Sequence, residues 1–233
     1  MDLEDGADVE DTVGHEDGAT GWQLWITGSA GPTKQANGVL AYSKTAEPTG
    51  YRFQDGYLRY LAFEKDDPGF DWRTFSFDKH GAALDAVAPL FSPTDPDLTK
   101  LQKRGAKLLL YHGWADPAIS AYGTIAYYDN VVKTMGGQQK TGEFVRLFLV
   151  PGMHHCNGGP GPNTFDSLTA LENWVEHGTA PTRIVASHAT NGTVDRTRPL
   201  CPHPQVAQYA GSGSIDDAAS FRCELQRFEI VKQ

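Results

Sequence analysis

Lys107-Leu-Leu-Leu-Tyr-His-Gly-Trp-Ala-Asp116-Pro117 and Val145-Arg-Leu-Phe-Leu-Val-Pro-Gly-Met-His-His155-Cys156 are the stretches whose reading decides the fold. Each opens as an apolar run of the length of a buried strand. Each closes in a glycine-containing turn that presents a polar residue, an acid in the first and a histidine in the second. Between them, Ser120 to Met135 sets Ile125, Tyr128, Val132 and Met135 on one helical face. Strands alternating with helices imply a parallel sheet.

The same pattern continues outward. Asp95-Pro96 reads as N-cap and first-turn proline of a short helix that Gly105 ends. Phe165 to His177 reads as a helix with Leu168, Leu171 and Val175 inward and Gly178 as its stop. Arg183 to Ser187 suits a short edge strand. Upstream, residues 21 to 95 are rich in aromatics and broken by Gly and Pro, with a helix expected over Gln54 to Phe63. Such a segment suits a packed cap. Residues 1 to 20 are acidic and polar and read as a flexible end. Two strong strands are few for a doubly wound sheet, and a strand without a neighbour leaves backbone groups unpaired. Either further strands lie in the aromatic segment or polypeptide outside this chain completes the sheet, and the second is the favoured expectation: an α/β fold class, the C-terminal part of an α/β-hydrolase sheet over residues 96 to 233.

In such sheets the functional groups stand where strands end at their carboxyl side. Acid before histidine is the tail of the order nucleophile, acid, histidine. Asp116 is the candidate acid, accepting a hydrogen bond from one ring nitrogen of the histidine. An Asp-Pro after a strand is also a common turn or helix-cap signal. His155 is the candidate base, with His154 and His112 as its rivals. The nucleophile is missing: no G-x-S-x-G precedes Asp116. Ser29, in Gly28-Ser-Ala-Gly31, lacks a strand-turn-helix setting, and Ser212 and Ser214 follow the histidine in the wrong order. His154, His155 and Cys156 are too closely spaced to share a tetrahedral metal ion. Asn191-Gly-Thr193 fits a glycosylation sequon.

The net charge of −9 argues against nucleic acid and anionic membrane surfaces as partners. No apolar run approaches a bilayer span, and the acidic start is not a signal peptide. The three cysteines are an odd count. Cys201 and Cys223 are either two buried thiols or a bridge worth about 3 kcal/mol, the latter pointing to an oxidising compartment.

His112-Gly-Trp-Ala-Asp116-Pro, Phe144-Val-Arg-Leu-Phe, Pro151-Gly-Met-His-His155-Cys156, Trp174-Val-Glu-His-Gly-Thr-Ala-Pro181, Arg196-Thr-Arg-Pro-Leu-Cys201-Pro and Ala218-Ala-Ser-Phe-Arg-Cys223 resemble, in this order, the tannase and feruloyl esterase family. Gly21-Trp-Gln-Leu-Trp-Ile-Thr-Gly28 is similar to a segment of its lid domain, so residues 21 to 95 would be a lid-domain remnant. The resemblance implies a serine carboxylic ester hydrolase acting on esters of aromatic acids, with Asp116 and His155 as triad acid and base. It implies Ile119 in the acyl pocket, Trp22 and Trp25 in the lid wall, and a Cys201–Cys223 disulfide. It makes Cys156 half of a second disulfide, whose other half stands beside the serine in a missing N-terminal half. No cofactor or metal is expected in this chain, because the lid calcium site of the family would lie upstream as well. Secretion or a periplasmic location follows from the resemblance.

Overall fold

A computed structural model describes residues 33–34, 40–41, 49–116, 119–155 and 157–225. The expectations for residues 1 to 20, Trp22, Trp25, Ser29, Pro117 and Cys156 lie outside the described residues. The chain divides into two units, residues 1–94 and 95–233.

The first unit contains a two-stranded antiparallel pair, β1 (Thr33–Lys34) and β2 (Leu40–Ala41), and two helices, α1 (Thr49–Tyr60) and α2 (Phe77–Phe91). The expected helix over Gln54 to Phe63 begins earlier and ends at Tyr60. Ala62 N–H still donates back to Tyr57 O, 2.9 Å away, and Asp66-Asp-Pro-Gly follows as a turn. A 3-10 turn over Trp72–Thr74 is capped by the Asp71 side chain and leads into α2. Phe63, Phe70 and Phe75 gather around the His80 ring, with centroids 5.3 to 5.9 Å from it. α2 was not expected, because Gly81 and Pro89 inside it read as breakers.

The second unit carries the strands that position the site. β3 (Leu108–Gly113) and β4 (Val145–Val150) pair in parallel, Leu108 opposite Val145 and Gly113 opposite Val150. α4 (Ala121–Thr134) and the single turn α5 (Gln138–Thr141) connect them. Ser120 caps α4 by accepting from Tyr122 N–H at 3.2 Å. β4 buries Val145, Leu147, Phe148 and Val150 completely. Tyr128 and Val131 of α4 pack on Val145 and Leu147, while Phe148 and Val150 join Met153, Ile184, Ala186 and Leu200. Among the described residues β3 pairs with no strand but β4, so its outer edge lacks a described partner.

α3 (Thr99–Lys103) is shorter than expected. Asp95 is not its N-cap as expected; Leu98 stands there, and Asp95 and Asp97 act before it. Each folds its carboxylate onto a backbone N–H two residues ahead, Asp95 on Asp97 and Asp97 on Thr99, both at 2.9 Å, and this delays the helix. α6 (Ser167–His177) is capped by Asp166 and ended by Gly178, but it buries Trp174, while Leu168 and Val175, expected to face inward, are exposed. β5 (Ile184–Thr190) is longer than the expected edge strand and forms a hairpin with β6 (Thr193–Leu200). Asn191 and Gly192 make its two-residue turn with φ of 51° and 80°, the geometry that Asn-Gly favours. β7 (Gln205–Tyr209) and β8 (Phe221–Leu225) form a second antiparallel pair. Cys201 and Cys223 are bridged, tying the end of β6 to β8. The chain just beyond β6 reaches the free edge of β4: Phe148 bridges to Pro202, and His203 N–H donates to Leu147 O at 2.7 Å.

Candidate active site

Both motif turns open at the carboxyl ends of β3 and β4. The register places these ends side by side. Trp114 N–H donates to Val150 O and Ala115 N–H to Met153 O, each at 3.0 Å. Gly113 is where the two turns meet. A Cβ there would fall on the carbonyl oxygens of Met153 and His154, so only glycine permits this approach. The second turn is stiffened by its own backbone, with His154 N–H bonded to Gly158 O at 3.1 Å and Gly161 N–H to Gly152 O at 3.2 Å.

Asp116 and His155, 39 positions apart in sequence, meet there. His155 Nδ1 lies 2.7 Å from Asp116 Oδ2. Donation from Nδ1 to the carboxylate leaves Nε2 as the basic nitrogen of a neutral ring. The Asp116 side chain is 4% exposed and that of His155 is 53% exposed. A buried carboxylate behind an accessible imidazole is the arrangement a general base needs. Asp116 also performs the turn-capping role its Asp-Pro context suggested: Oδ1 accepts from Ile119 N–H at 3.0 Å.

His112 approaches the same carboxylate, with Nε2 3.3 Å from Asp116 Oδ2. It is farther from Asp116 than His155, and its ring is nearly buried. His154 turns its backbone into the loop, and its residue is exposed. Ile119 is exposed beside Asp116. Trp114 and Tyr122, which the sequence reading passed over, are exposed as well and pack edge to face, 5.5 Å between centroids. Their signal in the sequence was adjacency to Asp116 and to the start of α4. Among the described residues no group of three or more His, Cys, Asp or Glu side chains is placed to hold a metal ion.

The model of the tannase and feruloyl esterase family matches residues 3–224. The chain belongs to that family. Within it, the chain is 40% identical over 221 residues to the mono(2-hydroxyethyl) terephthalate hydrolase of Piscinibacter sakaiensis, covering 87% of this chain and 34% of the relative. It is 37% identical over 170 residues to a probable feruloyl esterase of Arthroderma benhamiae, covering 70% of this chain and 32% of that protein. The crystal structure of feruloyl esterase B from Aspergillus oryzae superposes with a TM-score of 0.63 at 27% identity, over 83% of this chain and 44% of that one. The chain thus spans about a third of the length of the curated relatives it matches. Membership makes it part of a family of carboxylic ester hydrolases with a mixed helix and strand fold.

Proposed function

We propose that this chain supplies the acid and the base of a serine ester hydrolase acting on esters of aromatic carboxylic acids. The observation that carries the reading is the 2.7 Å contact between the exposed His155 imidazole and the buried Asp116 carboxylate at adjacent parallel strand ends. The nucleophilic serine stands in polypeptide outside this sequence. Support for this comes from the absent G-x-S-x-G before Asp116, the share of each relative the chain spans, and the outer edge of β3 without a described partner.

In the first half-reaction His155 Nε2 takes the serine hydroxyl proton as the oxygen attacks the ester carbonyl. The alcohol leaves with that proton, and an acyl-serine remains. In the second, His155 takes a proton from water, hydroxide adds to the acyl carbon, and the proton returns to the serine as the acid departs. Asp116 fixes the tautomer and stabilises the imidazolium in both. The fold around it is the C-terminal part of an α/β-hydrolase sheet over residues 96 to 233, with residues 21 to 95 belonging to a lid. Ile119 lines the acyl pocket, Trp22 and Trp25 the lid wall, and Cys156 bridges to a cysteine beside the serine. The Cys201–Cys223 bridge supports a secreted or periplasmic location.

The test is hydrolysis of methyl ferulate by the chain alone and by the chain co-expressed with the upstream half carrying the serine. The chain alone is expected to be flat and the pair to turn over. Turnover by the chain alone that Ser29→Ala abolishes would put the nucleophile in this chain. A folded pair that hydrolyses no aryl ester would contradict the reading in favour of a non-catalytic domain that binds aromatic ligands or a partner through exposed rings.

A further inference from the structure

We propose that His112 is a positioning residue that locks the Asp116 carboxylate in the rotamer His155 needs. This rests on the reading of Asp116 and His155 as orienter and base. His112 is the fifth residue of β3, opposite Leu149 of β4 and directly before Gly113. Its nearly buried ring has both nitrogens engaged. Nε2 lies 2.9 Å from Ile119 O and 3.3 Å from Asp116 Oδ2, and Nδ1 lies 2.7 Å from Thr124 Oγ1.

The partners assign the tautomer. Both groups facing Nε2 are acceptors, so Nε2 carries the proton. Nδ1 then accepts from the Thr124 hydroxyl, and the ring is neutral with both nitrogens satisfied. Its Nε2–H donates to the Ile119 carbonyl, and the ring edge packs 3.3 Å from Asp116 Oδ2. The Asp116 carboxylate is held at both oxygens. Ile119 N–H fixes Oδ1, His155 Nδ1 bonds Oδ2, and the His112 ring packs 3.3 Å from Oδ2. His112 holds the Ile119 carbonyl, Ile119 N–H in turn holds Oδ1, and the His112 ring packed beside Oδ2 limits the rotation of the carboxylate that His155 meets. His112 also ties three elements together: the end of β3, the loop at Ile119 and the first turn of α4 at Thr124. The histidine–glycine sequence at the strand end thus has two duties. The glycine brings the turns together, and the histidine sets the acid.

The test reads His155 itself, in the full chain, by 15N imidazole NMR, which needs no ester turnover. The native chain should show His155 protonated at Nδ1, with that proton at low field. His112→Phe keeps ring volume but removes the N–H. It should abolish the low-field proton and mix the His155 tautomers. His112→Gln, which can return an N–H near the Nε2 position, should restore the native signals. In the Asp116→Asn background, His112→Phe should add nothing, as expected for two residues acting through one contact. In the serine-complemented enzyme the matching result is a fall in kcat on the order of 100-fold with KM unchanged, the scale of a misplaced catalytic group. If His112→Phe fails to fold, Thr124→Val releases the ring without touching β3 and should shift His155 the same way. A folded His112→Phe or Thr124→Val chain with native His155 signals would overturn the proposal and leave His112 a packing residue. Failure of the esterase reading would appear instead as absent hydrolysis with these His155 signals intact.

Discussion

Two histidine–aspartate pairs among the described residues have nearly equal length and opposite construction. His155 Nδ1 meets Asp116 Oδ2 at 2.7 Å, and His188 Nδ1 meets Asp195 Oδ1 at 2.6 Å. At the parallel strand ends the acid is buried and the imidazole faces out. On the β5–β6 hairpin the order inverts: Asp195 is 41% exposed and His188 is 22% exposed. The hairpin pair arises from a bulge. His188 pairs with Arg196 and Ala189 with Val194, so Asp195 is the extra residue, and it turns back onto His188 and the Thr190 hydroxyl. Distance alone does not separate a base from a clasp. What separates them is which partner is buried, and whether the imidazole stands where a reactant can reach it.

The largest expected difference between the pairs is catalytic. In the serine-complemented enzyme, Asp116→Asn should lower kcat by about 10⁴-fold, because the histidine loses its tautomer. Asp195→Asn should leave methyl ferulate turnover unchanged. Equal losses would erase the distinction.

The turns should differ in stability next. Gly113→Ala drives a Cβ into two backbone carbonyls and should cost about 3 kcal/mol in denaturant unfolding. Gly192→Ala meets open space at φ 80° and should cost only ~1 kcal/mol of backbone strain. A reversed order would mean that the turns beside Asp116 and His155 are not tightly joined.

Reducing the Cys201–Cys223 bridge sharpens the contrast. It should lower stability by roughly 3 kcal/mol in the chain-entropy model while the His155 imidazole signals stay native in the remaining folded chain. Loss of those signals on reduction would make the site depend on the C-terminal strands.

The smallest effect is a pH effect. The Thr190 hydroxyl, then His188, hold the Asp195 carboxyl below its ordinary value of 3.8. Its contribution to stability is whole above that value. It fades as pH falls below it and is gone beneath the lowered folded value. Asp195→Asn should flatten this acid limb slightly, since the pair is exposed and screened. A large flattening would show the clasp to be worth more than an exposed pair should be.

The sequence made some of this legible and hid the rest for physical reasons. β3, β4 and the residues presented at their ends were readable because parallel strands are nearly continuous apolar runs, although only β4 is buried and β3 is half-buried with Tyr111 exposed. α4 and α6 were readable from Ser120 and Gly178 at their ends. β6 was not, because Thr193-Val-Asp-Arg-Thr-Arg-Pro-Leu200 looks like a polar loop. Its charges are engaged by residues distant in sequence: Arg196 by Asp216, and Arg198 by the Ile215 carbonyl. Asn191-Gly192 was read as a sequon although it is also the strongest short hairpin signal. His112 was visible only as a rival base, since its three partners come together only on folding.

The most direct test of the central claim is methyl ferulate hydrolysis by the serine-complemented enzyme carrying His155→Gln, His154→Gln or His188→Gln. The account predicts that His155→Gln alone removes turnover, while the other two folded variants retain it. Turnover that survives His155→Gln, or that disappears with His154→Gln or His188→Gln instead, would contradict the assignment of His155 as the base.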